Sequence, residues 1–145
     1  MAPLVLLFAL DDLRARYVAE RPGGGDPRHD TAPFRAFRAA LLEALAAVAR
    51  APATLGMWWE GGYNGYALAV SIDPAAAVPG AEAAAARACP VDGVREGAAR
   101  RDPYPLAVVA PGRAEVARDA DGAAVEAPFG AATGHFGAPG MRRMA

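Results

Sequence analysis

The chain has 145 residues, 54% of them apolar and 21% charged, with a formal charge of −1; this is one domain's length with enough apolar surface for a core. It contains no lysine, which excludes lysine Schiff-base chemistry, pyridoxal-phosphate catalysis and a Walker-type phosphate loop. Its 15 basic and 16 acidic residues are interspersed without a basic stripe, so a nucleic-acid partner is not expected.

All the basic residues are arginine, glutamine is absent, and alanine alone supplies 39 residues. A genome of high GC content, as in a high-GC bacterium, accounts for this bias. Large apolar side chains are correspondingly few, so the core is expected to be modest and partly packed with alanine. Cys89 is the single cysteine. It can form no intrachain disulfide and no cysteine-rich zinc site, and it fits a reducing cytoplasm.

Leu4 to Leu10 is an unbroken apolar run of strand length, stopped by Asp11 and Asp12. It has no cationic start and is too short to span a membrane, so a cytoplasmic protein without a membrane partner is expected. Leu13 to Glu20 fits either period, and a short helix is the reading taken. Arg21 to Asp30 is a loop. Its Gly23–Gly25 run has no strand leading in and no helix opening after it, as a phosphate cradle requires. Thr31 to Arg50 is the clearest helix. Thr31 suits an N-cap, Pro33 is tolerated in the first turn, and Phe34, Phe37, Leu41, Leu45 and Val48 form one apolar stripe.

Residues 55–73 read as a β-hairpin turning at Asn64-Gly65, the strongest short-range hairpin signal. That register pairs Tyr63 with Tyr66, Gly61 with Leu68, Trp59 with Val70 and Met57 with Ile72 on one side, the core side. The opposite side carries Trp58, Glu60, Ser71 and Asp73 among glycine and alanine. Further on, Ala81 to Ala88 is helical on propensity, and Val91 to Arg101 suits another helical turn or two. Leu106 to Ala110 is a short strand. Ala114 to Ala127 reads as a second hairpin turning at Asp121-Gly122. From Pro128 the chain is a glycine- and proline-rich tail.

The order strand, helix, strand, strand, helix, strand predicts an α+β domain over 1–127 of ferredoxin-like βαββαβ order, with an extra C-terminal hairpin and an irregular tail over 128–145. Such a fold constrains function weakly.

Trp58 and Trp59 are neighbours, so they point to opposite faces of a strand. Trp59 is assigned to the core. Trp58 is left to cover by the N-terminal segment or the tail, to an interface or to a small-ligand pocket, and an exposed tryptophan makes a typical interface anchor. Glu60 and Asp73 invite an acid–base reading, but the register sets them at different levels. Ser71 lacks a nucleophile-elbow context. His29 and His135 have no metal-ligand spacing, so neither metal nor cofactor is expected. Phe129 and Phe136 sit in the tail as isolated anchors.

The function expected from these residues is a non-catalytic protein-binding or assembly module. Its binding residues would be Trp58, Glu60, Ser71, Asp73, Phe129 and Phe136, and its partner another protein or a second copy. The alternative is a cofactor-independent enzyme of monooxygenase or cyclase type on a ferredoxin-like dimer, with Trp58, Trp59, Tyr63, Asn64 and Tyr66 about a pocket.

Overall fold

A computed structural model describes residues 2–18, 27–28, 31–62, 65–97, 99–118 and 120–124. His29, Tyr63, Asn64, His135, and Phe129 and Phe136 of the tail lie outside the described residues. The fold is α+β; the described residues form three helices on one six-stranded antiparallel sheet. The strands are β1 (Leu4–Ala9), β2 (Ala53–Gly62), β3 (Gly65–Asp73), β4 (Gly93–Glu96), β5 (Tyr104–Ala110) and β6 (Arg113–Val116), in the sheet order β4-β1-β3-β2-β5-β6. The helices are α1 (Leu10–Tyr17), α2 (Thr31–Val48) and α3 (Ala81–Ala85), the last preceded by a single 3-10 turn at Ala75–Ala77. Among the described residues, no helix is long and apolar enough to cross a membrane.

α1 starts directly after β1. Asp11 and Asp12 fall in its first turn, where carboxylates suit the positive end of the helix dipole, and Arg14 and Arg16 fall in its last. In α2, Phe34, Phe37, Leu41 and Leu45 are buried, as the stripe predicts, and they pack on Leu6, Phe8, Leu68, Val70 and Ile72 from β1 and β3. Phe8 and Tyr17 both meet Phe37 edge-on, at centroid distances of 5.1 and 5.8 Å. Arg38, beside the stripe, does not face water. It is buried, its guanidinium 5.4 Å from the Phe34 ring, and its aliphatic stem adds apolar cover. α3 contributes Ala81, Ala84 and Ala85 to the same core, the alanine packing foreseen from composition.

The β2–β3 hairpin differs from the expected one by one register step. Gly62 faces Gly65, so Gly65 is paired in the ladder and does not stand at the centre of the turn. Trp59 therefore faces Leu68, and Met57 faces Val70. Each partner moves by two residues, which is the side-chain period of a strand, and so every face assignment survives. Gly65 does take a positive φ of 115°, but it does so flanking the turn.

Two later elements are corrected. Residues 93–96, expected to be helical, form β4 on the free side of β1, with Val5 opposite Arg95 and Leu7 opposite Gly93. Bonds from the backbone to β1 outweigh the weak local propensity there. The strand expected at Leu106–Ala110 lies beside β2, and β6 folds back on it through Pro111-Gly112. Gly112, at φ 73°, supplies the left-handed position that this turn needs, and its N–H donates to Ala46 O of α2 at 3.0 Å. Asp121-Gly122 does close a turn, and among the described residues one bridge, Arg118 to Ala124, is formed across it.

Candidate functional site

The ladder sets out the sheet face opposite the helices row by row. Gly56, Ser71, Val5 and Arg95 form one row, and Trp58, Ala69, Leu7 and Gly93 the next; Glu60, Ala67 and Ala9 form a third. This is the small-residue face read from the sequence, with β1 and β4 extending it.

It is not bare. β4 is one edge of the sheet, and β5 lies beyond β2, so the connection between them has to cross β1, β3 and β2. It crosses on this face. Ala99 packs against a second small core of Val5, Trp58 and Ala69, with Leu7 at its side. Pro103 lies on Gly56 so closely that a Cβ added there would stand 2.8 Å from the proline Cβ and Cγ. Trp58 is consequently only 4% exposed, so of the alternatives left open by the sequence a covering segment is the one found. The cover is the β4–β5 connection, which the sequence reading did not consider.

Glu60 and Arg95 complete the arrangement. The Trp58 Nε1–H donates to Glu60 Oε2 at 2.9 Å. Arg95 reaches from β4 over β1 and β3, and its Nη2–H donates to the same oxygen. Both charged side chains are about a third exposed (39% and 33%), so the pair marks the boundary between the covered and open parts of this face. The Arg95 Nε is buried and has no partner among the described residues. Ser71 is buried beside Gly56.

Asp73 is exposed at the far end of β3. It is level with Thr54, whereas Glu60 is level with Ala67, six residues along the ladder. At about 3.3 Å per residue the two carboxylates are about 20 Å apart, too far to share an acid–base reaction. The structure thus joins Trp58 with Glu60, buries Ser71 close by, and separates Asp73 from both.

The helix face holds a feature only partly legible in the sequence. Tyr17, Phe34, Phe37, Trp59 and Leu68 line a narrow cleft closed by Leu13, Pro27 and Pro33, with room for about one water molecule. Arg28 lies 4.7 Å from the centre of the Tyr66 ring and ties the α1–α2 connection to the hairpin. The Tyr17 hydroxyl donates to Ala88 O, and Arg16 Nη2 donates to Arg87 O at 2.9 Å. Both bonds bind α1 to the segment after α3. The stripe on α2 pointed to Phe34 and Phe37, but nothing local could place Tyr17 or Pro27 beside Trp59.

Cys89 is fully buried in the main core. Burial, reinforced by Asp12 and opposed by Arg16, pushes its thiol up to about 11. Burial likewise raises the Tyr17 phenol. At neutral pH Cys89 is therefore a protonated packing residue and a poor nucleophile. Among the described residues, no group of three or more His, Cys, Asp or Glu side chains could hold a metal ion. Comparison with protein-family models, with curated proteins and with solved structures finds no match for the chain.

Proposed function

We propose that the chain is a non-catalytic protein-binding or assembly module of the cytoplasm. The observation that carries this reading is that both faces of the sheet are filled near its centre. The helices cover one face and the β4–β5 connection the other, and the cleft under the hairpin holds no more than about one water. What remains for function is the rim: the Glu60–Arg95 pair, Asp73, the outer strands, and the exposed Tyr66, Val94 and Val108. The tail, with Phe129 and Phe136, belongs to the same proposal as a second contact element. The rim charges would fix register, and the apolar side chains would supply contact area.

The order β4-β1-β3-β2, with helical crossovers after β1 and after β3, supports a ferredoxin-like βαββαβ unit. On this reading the β5–β6 hairpin is an addition on its β2 edge. Enzymes as well as assembly modules use that fold, so the choice rests on the filled faces.

Purification of the full chain from its own cells, followed by native mass measurement, tests the proposal. A second copy or a protein partner in fixed stoichiometry is the expected result, weakened by Phe129→Ser with Phe136→Ser. A monomer carrying a small molecule between α2 and the hairpin would overturn it and favour the enzyme.

A further inference from the structure

The crossing from β4 to β5 is held down at few points. Among the described residues, no backbone N–H or C=O group from Ala99 to Asp102 takes a hydrogen bond from or to another backbone group. Arg100, Arg101 and Asp102 are exposed, and the Arg100–Asp102 ion pair at 3.4 Å lies within the crossing itself. The grip on the sheet is Ala99 on the Trp58 cluster and Pro103 on Gly56. Both ends are tied. Gly97, at φ 71°, donates its N–H to Pro3 O at 2.9 Å, and β5 begins at Tyr104. The covered face also carries an unfavourable group. The Arg95 Nε is buried there with no partner among the described residues, a state that water relieves when the face opens.

We propose that residues 99–103 are a hinged cover that lifts off Trp58 while the rest of the sheet and the helices stay folded. This goes beyond the assembly reading and does not depend on it. Segments with few buried apolar contacts and no backbone bonds open locally, without global unfolding. About 26 Å of extended chain over about 19 Å of sheet lets the middle of the crossing rise with both ends in place. Gly97 supplies the turning point at its start. The open form presents Val5, Leu7, Trp58 and Ala69 as one apolar strip, which the closed form withholds. Exposure of the indole keeps the open form a minor state. The crossing therefore acts as an internal cover, and access to the Trp58 face is set by its opening.

Thiol labelling of the folded full chain tests this, with Cys89 as the internal reference. Cys89 is fully buried in the main core on the helix side, so its labelling follows unfolding of that core. Ser71→Cys places a second thiol beside Gly56 and Pro103, beneath the cover. Both thiols then report from one chain, and peptide mass mapping separates them. Each rate is divided by that of the same thiol in the urea-unfolded chain, which removes differences in intrinsic reactivity. On this scale the introduced thiol labels about tenfold faster than Cys89 or more, and its rate hardly changes at low urea, because the opening exposes little surface. The Cys89 rate rises steeply with urea. Val5→Cys, on β1 beside the indole, is the second reporter should the Ser71 variant fold poorly.

Ala99→Gly removes a contact with the Trp58 cluster and loosens the crossing. It speeds labelling of the introduced thiol by roughly threefold and leaves Cys89 unchanged. Equal protection and equal urea dependence at the two thiols overturn the proposal, since both then wait for global unfolding. A fast introduced thiol that is indifferent to Ala99→Gly overturns it as well, because something other than the crossing is then opening.

Discussion

Trp58→Ala tests the covered sheet face most directly. The indole is 4% exposed, packed on Val5 and Ala69. Truncating a buried aromatic to alanine costs about 3–5 kcal/mol from lost burial and the cavity left behind. The lost bond to Glu60 adds little, because that carboxylate keeps Arg95 and remains partly exposed. A total of about 4 kcal/mol, with a urea m-value of about 2 kcal/mol/M, lowers the unfolding midpoint by about 2 M. Trp58→Phe keeps most of the ring and should cost about 1–2 kcal/mol, which guards against a truncation too severe to fold. Urea titrations followed by circular dichroism, with Trp59 as the fluorescent reporter, give both values. A Trp58→Ala midpoint equivalent to less than about 1 kcal/mol of loss would mean that residues 99–103 do not close over the indole, and the description of this face would fail.

Gly56→Ala should cost about 1–3 kcal/mol, since its Cβ would meet the rigid Pro103 ring at 2.8 Å; Pro103→Ala in the same chain should recover part of the loss, and equal midpoints for the single and double variants would contradict the contact. A double-mutant cycle of Glu60→Gln and Arg95→Met should give a coupling of no more than about 1 kcal/mol, because the pair is about a third exposed and screened by water, and a coupling several times larger would show it to be enclosed in solution. Cys89 gives a pH dependence. Its neutral form is favoured in the folded chain, so its contribution is intact below the ordinary thiol value of 9.0 and is lost as pH rises towards about 11; the raised Tyr17 phenol adds loss in the same direction at higher pH. Urea midpoints measured from pH 7 to pH 11 should therefore fall above about pH 9, and Cys89→Ala should flatten the fall. An unchanged slope in that variant would rule the thiol out as the cause.

The parts of the fold legible in the sequence are those whose cause is local. β1 follows from an apolar run, and α2 from a stripe with spacings of 3 and 4. The hairpin faces survive a wrong turn because a two-residue slip leaves side-chain direction unchanged. β4 has no such signature. Gly93, Val94, Arg95 and Glu96 form a strand because β1 offers them backbone partners, and that is a property of the assembled sheet. The β5–β6 turn did carry a signal in Pro111-Gly112, but Asp121-Gly122 competed with it. Only the bonds to β5 and the tie from Gly112 to α2 decide between them.

The small-residue face shows how a correct local reading can be given the wrong cause. In the sequence, Gly56, Ala67 and Ala69 suggested a shallow surface open to a partner. The sheet order supplies another reason. From β4 to β5 the chain crosses four inter-strand steps, about 19 Å at 4.8 Å each. Eight residue steps separate Glu96 from Tyr104, which reach about 26 Å when fully extended. The slack is small, so the connection must run nearly straight and close to the sheet. Bulky side chains beneath it would hold it away; alanine and glycine let it settle, and the flat indole of Trp58 fills the space left over. Much of the small-residue patch is thus the bed for the chain's own crossing. On the assembly reading proposed above, a partner's surface would begin where that crossing ends, at Glu60 and Arg95 on one side and at the exposed Val108 on the other.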